Sequence, residues 1–424
     1  MLTVKATHSK SVIQMVPTEP LQTWSADHRD RCLEFLQDII SIPSASTVGE
    51  TEAAVAKRTL TEFQQLNYDD AFIDDSGNVH GYIAGESSQA IMFNAHLDTV
   101  GVGNSDDWTH DPYGELADGT LYGRGASDMK SALAAMVYAG AALKALDITP
   151  PYSIYVSGVI QEESLGWAGT QYAIEDGIDD EIIAAVMGEA TEMDLKIGNR
   201  GRIGLEIELD GKSCHASAPE RGINPLQHAA TIINTLESLA DDTGDHPFLG
   251  PGSLSITNVR TDTPSNAAIP DRARINIDRR LTLNEDEATA HQEAETAIDA
   301  ARDVYGDDVS ATVTTVEVER DSYTGHRFVI PKYSEPWLIE EDHPLVQSAH
   351  GLLDAVVSDP EIRKWTFCTD GSYTMGTRSI PTIGFGPMDE AYAHTQQDQV
   401  SVDDVIDAIT VYALFATNLD VSVE

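Results

Sequence analysis

Residues Tyr152 to Gly166 read YSIYVSGVIQEESLG, and the change of character along this stretch sets the fold. The first part is aromatic and β-branched, the composition of a buried strand. The second part puts two neighbouring carboxylates, Glu162 and Glu163, where that strand runs out. Strands of the same kind recur on either side: VHGYIAG (79–85), AIMFNAHLD (90–98) and EIIAAVMGE (181–189). Helical patterns at 28–41, 51–66, 128–146 and 167–175 lie between or before them. Near-continuous apolar strands alternating with helices predict an α/β fold, a mostly parallel sheet covered on both faces.

Around residue 200 the texture changes. GLEIELDG (204–211) alternates apolar and polar with period two. A helix (224–240), two alternating strands (253–260 and 272–280), a helix (285–303) and a strand ATVTTVEVE (311–319) follow. Half-buried strands with two helices predict a separate α+β unit. From about 342 the first texture returns, with helices at 343–356 and 402–416 around a short strand, TIGF (382–385). The expected organisation is one α/β domain in two parts, 1–199 and 321–424, interrupted by an inserted domain at 200–320.

The chain of 424 residues carries 70 Asp plus Glu against 26 Lys plus Arg, a formal charge of −44. Nucleic acid and anionic membranes are poor partners for such a surface. Self-repulsion on this scale is tolerable where salt screens it, which predicts a salt-rich cytoplasm. The three cysteines, Cys32, Cys214 and Cys368, are odd in number and scattered, which suits a reducing compartment. The N-terminal MLTVKATHSK lacks the apolar core of a signal peptide.

The chemistry-bearing residues share one kind of place. FNAHLDTV sets His96 and Asp98 at the end of a strand, two apart and so on one side. GRGASDMK sets Asp128 after a Gly-rich turn. Glu162, Glu163 and Glu189 follow strands, and DEAYAHTQQD puts His394 in a loop after TIGFGP. In open α/β sheets, sites gather beyond the carboxyl ends of the strands. Each residue alone has a plain structural reading: a satisfied core histidine, a helix cap, a solvated loop acid. Together they crowd carboxylates that repel one another unless a cation sits among them. Two imidazoles with several carboxylates form a mixed N/O set that suits zinc, with cobalt or manganese as substitutes. HExxH, CxxC and GxSxG are absent, and DGKSCH fails the phosphate-loop pattern because Glu206 stands where it needs Gly.

HLDTV, GRGASDMK, QEE, GEAT, GKSCHASAPERGINP and AHTQQD, in this order, resemble the zinc-dependent acetylornithine deacetylase, succinyl-diaminopimelate desuccinylase and aminoacylase family, from about residue 30 to 420. SCHASAPERG, DRRLT, KWTF and IPTIGFGP look most similar to a bacterial subgroup linked to selenium or purine-catabolism gene clusters. The resemblance implies a bridging Asp128 between two zinc ions, with His96 and Glu189 on one and Glu163 and His394 on the other. It implies that Asp98 accepts the second ring N–H of His96. Glu162 would be the general base, held beside the attacking water because its neighbour is fixed as a ligand. The inserted domain would be a lid and dimer interface. From it His215 would hydrogen-bond the developing oxyanion, and Asn266 and Arg280 would bind the substrate's polar end. A cis peptide between Asp128 and Met129 is also implied. Asp398 departs from the Glu usual in the family, and Ser372 from an Arg that reads succinylated substrates. Residues 1–25 and 323–336 have no clear counterpart.

The implied activity is hydrolysis of the amide of an N-acyl amino acid or related amine. An exopeptidase or dipeptidase with the same mechanism is the alternative, and a catalytically silent metal- or peptide-binding protein a third reading. The expected partners are the small substrate and a second copy of the chain.

Overall fold

The computed structural model describes residues 16–48, 51–263 and 265–421. The N-terminal stretch on which the signal-peptide reading rests lies outside them. The central sheet has eight strands in the order Asp70–Ile73, Val79–Ile83, Tyr152–Val159, Ser87–His96, Ile182–Met187, Thr382–Gly384, Leu195–Lys196 and Ile362–Arg363. The four from Tyr152–Val159 to Thr382–Gly384 run parallel, and antiparallel pairs flank them. The expected mixed α/β fold with a mostly parallel centre is what forms.

The helix Lys130–Ala145 is buried along nearly its whole length. It packs between the strands Ser87–His96 and Tyr152–Val159 and the helices Arg29–Ser41 and Val402–Asn418. Alanine and glycine at many of its positions let these layers approach closely. The buried apolar side chains fall into two clusters. One draws on both ends of the chain, Leu21 to Ile197 and Phe328 to Val421. The other runs from Ile203 to Val309. It joins the antiparallel strands Gly201–Asp210, Ser253–Asp262, Arg272–Leu281 and Ser310–Thr315 to the helices Pro225–Leu239 and Glu287–Tyr305.

One sequence-predicted element is wrong. The single strand over 311–319 is two strands in different sheets. Ser310–Thr315 pairs with Gly201–Asp210, while Glu317–Asp321 turns away to form a hairpin with Arg327–Pro331. The apolar positions change phase at the break, from Ala311 and Val313 to Val316 and Val318, a mark that reading one continuous strand passes over. Phe328 and Ile330 of this hairpin are buried in the first cluster.

Gly384 shows how tightly the site's scaffold is built. A Cβ there would lie 1.8 Å from the ring of Trp365, which is fully buried with its Nε1–H donated to the Ala190 carbonyl at 2.8 Å. Gly384→Ala is therefore expected to destabilise the protein by about 3 kcal/mol, the upper end for overpacking a core. Urea denaturation of the variant against wild type measures it.

Candidate active site

The strand ends converge as the alternation predicts. Asp128 stands at the centre. Its Oδ1 lies 2.8 Å from His96 Nε2 and its Oδ2 3.1 Å from His394 Nε2. Glu163 Oε1 is 3.1 Å from the same His394 nitrogen, and Glu189 Oε1 is 3.9 Å from His96 Nε2. One carboxylate thus faces two imidazoles, with Glu163 beside the same nitrogen of His394 and Glu189 beside the same nitrogen of His96. Ligand atoms of His96, Asp128 and Glu163 fall within 4.8 Å of one another.

The electrostatics say what this cluster lacks. Burial, reinforced by Asp370 and the other acids of the cluster, pushes Glu162 well above the usual carboxylate range. Burial and the charge of Asp128 do the same to Glu189. Burial works against ionised Asp128 as well, but hydrogen bonds from His394 and His96 hold its carboxyl well below the usual range. In return Asp128, then Glu163, raise His394 to about 10. Burial opposes charge on His96, but Asp128 and Glu189 likewise raise it, so the crowded acids favour positive charge at the centre of the cluster. Divalent cations supply that charge with nitrogen and oxygen donors of the kind gathered here, so the residues fit a metal centre.

Asp98 does not make the contact the resemblance implied. His96 Nδ1–H donates to the Asp98 main-chain carbonyl at 2.9 Å, while the carboxylate lies 3.6 Å away. A backbone carbonyl fixes the ring as well as a carboxylate does. The freed Asp98 carboxylate accepts the main-chain N–H of Glu162 (3.0 Å), that of Glu163 (3.2 Å) and the hydroxyl of Ser46 (2.6 Å). It pins the two-acid turn. Gln161, just before that turn, has φ +60°, and His394 has φ +61°. Such left-handed backbone costs roughly 1–2 kcal/mol per residue and both instances sit beside the cluster. The Asp128–Met129 peptide is cis, as expected.

Glu162 and Glu163 separate cleanly. Glu163 is engaged with His394, whereas the Glu162 carboxylate accepts no hydrogen bond among the described residues and lines an open cavity of about 500 Å³. Asp128, Glu189, His394 and Arg280 line the same cavity. His215 and Asn266 do not. Both are exposed, in neighbouring segments joined by the pairing of His215 with Ala268.

Other residues around the cluster act through contacts that the sequence does not display, among them Asp398, which the sequence marks only as a departure from the family's Glu. Asp398 accepts the N–H groups of Gly125 (2.9 Å) and Ser127 (2.6 Å) and a bond from Arg124 (3.0 Å). The shorter Asp thus holds the turn that presents Asp128. Asp370 is buried behind the site and accepts from Asn94 (2.9 Å) and Thr170. Burial raises its pKa. Its neighbour Ser372 drew attention in TDGS, and nothing in the pattern distinguishes Asp370. The hairpin 317–331 contributes Val318 and Ile330 to the cavity wall, and its Asp321 carbonyl accepts from Gln161 Nε2 at 3.2 Å.

Comparison with known proteins agrees with this geometry. Residues 92–418 match Peptidase family M20/M25/M40. The Escherichia coli (strain K12) protein YgeY is 35% identical over 404 residues, 94% of this chain and 96% of its own length. Succinyl-diaminopimelate desuccinylase 2 of Ruegeria sp. (strain TM1040) is 30% identical over 268 residues, 60% of this chain and 66% of that protein. The M20 family metallo-carboxypeptidase Sso-CP2 from Sulfolobus solfataricus shares the fold with TM-score 0.71 at 16% identity, over 91% of this chain and 98% of that one. The chain belongs to peptidase family M20/M25/M40, and it is a metal-dependent hydrolase of amide or peptide bonds.

Proposed function

We propose that the protein is a di-zinc deacylase that hydrolyses the amide of N-acyl amino acids. The observation that carries this reading is Asp128 with each of its oxygens against a different imidazole, beside a Glu162 whose carboxylate accepts no hydrogen bond among the described residues. His96 and Glu189 would hold one ion, Glu163 and His394 the other, with Asp128 between them. The two ions would supply Lewis-acid charge to the scissile carbonyl and to the attacking water. Glu162 takes the water's proton and delivers it to the leaving amine. Burial among other acids raises its affinity for that proton, as a base of this kind requires. Asp98 keeps Glu162 and Glu163 apart in role by fixing their shared turn. Arg280 receives a substrate carboxylate through the part of its guanidinium that Asp278 does not hold.

An exopeptidase uses the same residues, and di-peptidase Dug1p from Saccharomyces cerevisiae has this fold at 13% identity and TM-score 0.70. A panel of N-acyl amino acids against dipeptides, with and without chelator, decides between them. Hydrolysis of the dipeptides alone would move the protein to the second reading. Turnover of neither by the metal-loaded protein would end both.

The unit at 200–320 acts in this reading as a lid and dimer interface. His215 and Asn266, outside the cavity of their own chain, are presented to the cavity of a second copy. No described helix is long and apolar enough to cross a membrane, and the charge of −44 fits a salt-rich cytoplasm. Melting temperature and activity are therefore expected to rise together as KCl goes from about 0.1 M, with a screening length of about 10 Å, to about 1 M, with about 3 Å. A salt-independent melting temperature contradicts the adaptation.

A further inference from the structure

Basic residues are scarce in this chain, 26 of 424, yet three of them line one wall of the active-site cavity: Arg202, Arg280 and Lys332. Their arrangement follows from strand register. Arg202 and Arg280 are direct partners across the antiparallel pair Gly201–Asp210 and Arg272–Leu281, a placement that like charges ordinarily disfavour. Asp278, two residues before Arg280 and on the same face, accepts from Arg280 Nε at 2.8 Å and from Arg202 Nε at 2.7 Å. One carboxylate thus ties down two guanidiniums by their inner edges. Arg202 Nη2 also lies 2.7 Å from Asp278 Oδ2, so both guanidiniums rest on this one carboxylate, and Arg202 stays 48% exposed at its side chain.

Lys332 completes the group from another direction. It follows the hairpin 317–331, where Arg202 pairs with Ser334 and Ile203 with Tyr333. Gly204, on the face of Arg202, makes room for it: a Cβ at 204 would stand 3.3 Å from Lys332 Cβ. The Lys332 ammonium forms no ion pair among the described residues. These three cations have the one carboxylate of Asp278 among them, while the acids Asp128, Glu162, Glu163 and Glu189 that line the same cavity are gathered around the metal centre. In a protein with this excess of acid, three cations grouped apart from those acids make a site for anions. Arg280 alone suffices for one carboxylate, so the other two cations call for a second.

Resting on the deacylase reading, we infer that the substrate's amine portion is an acidic amino acid. Its α-carboxylate engages Arg280, and its side-chain carboxylate is read by Arg202 and Lys332.

Matched pairs differing only in that carboxylate test this: N-acetylglutamate against N-acetylglutamine, and Gly-Glu against Gly-Gln. Binding to zinc-loaded Glu162→Gln protein by calorimetry reads the subsite without turnover, and kcat/KM of the wild type reads it with turnover. The acid is expected to bind about 10–100-fold more tightly than its amide, as charge-assisted bonds to a charged partner allow. The double substitution Arg202→Gln and Lys332→Gln should erase that preference, read as the ratio of acid to amide binding in the same protein. Exposed Lys332 also tolerates Lys332→Glu without risk to the core, and this variant should favour the amide. Equal binding of acid and amide, or a preference that survives both variants, overturns the inference while leaving the deacylase reading intact. Failure of the zinc-loaded wild type to bind or hydrolyse any member of the panel overturns that reading and this inference together.

Discussion

Glu162→Gln is expected to lower kcat by about 10³–10⁴-fold, the upper range for removing a general base that also serves as the acid. The substitution keeps shape and volume. The Glu162 carboxylate accepts no hydrogen bond among the described residues, and its main-chain N–H to Asp98 is untouched by a side-chain change. Folding should therefore be unaffected. KM should move little, because the loss falls on proton transfer. The neighbouring substitution should behave differently. Glu163→Gln weakens the contact with His394 and is expected to lower metal affinity first and activity as a consequence. Steady-state kinetics on the two variants at saturating and limiting zinc separate these effects. Full rescue of Glu162→Gln by added zinc would mean that the two roles are exchanged.

His215→Ala is expected to cost about 10²–10³-fold in kcat, as loss of an oxyanion donor does, and to be rescued by a second inactive protein. His215 is exposed and outside the cavity of its own chain. If it serves the partner's site, a mixed dimer of His215→Ala with Glu162→Gln has one site with both defects and one with neither. Random exchange of equal amounts makes half the dimers mixed, so about a quarter of wild-type activity should return. Heterodimers that form and stay inactive would assign His215 to its own chain or to no catalytic role.

Much of this was legible because apolar periodicity and loop chemistry agree. The strands that carry His96, Glu162 and Glu189 are apolar runs that end in polar residues, and the sheet sets those ends side by side. What stayed hidden depends on contacts remote in sequence. The Asp98 carboxylate serves Ser46 and the Glu162–Glu163 turn instead of His96, and spacing along a strand cannot settle between a carbonyl at 2.9 Å and a carboxylate at 3.6 Å from the ring. Asp398 reaches across 271 residues to Ser127. Arg202 and Lys332 become a pair only through register between three strands. The strand over 311–319 hides a change of phase between Val313 and Val316, and only the pairing of Glu317–Asp321 with Arg327–Pro331 shows that one strand ends there and another begins.

The central claim is a two-metal centre bridged by Asp128 with Glu162 outside it. Metal analysis of Glu162→Gln, purified alongside wild type, stripped with chelator and reloaded with zinc, tests it most directly. The account predicts two equivalents of zinc per chain in both proteins, with activity in the wild type alone. One equivalent in the wild type, or loss of an equivalent in Glu162→Gln, would contradict it.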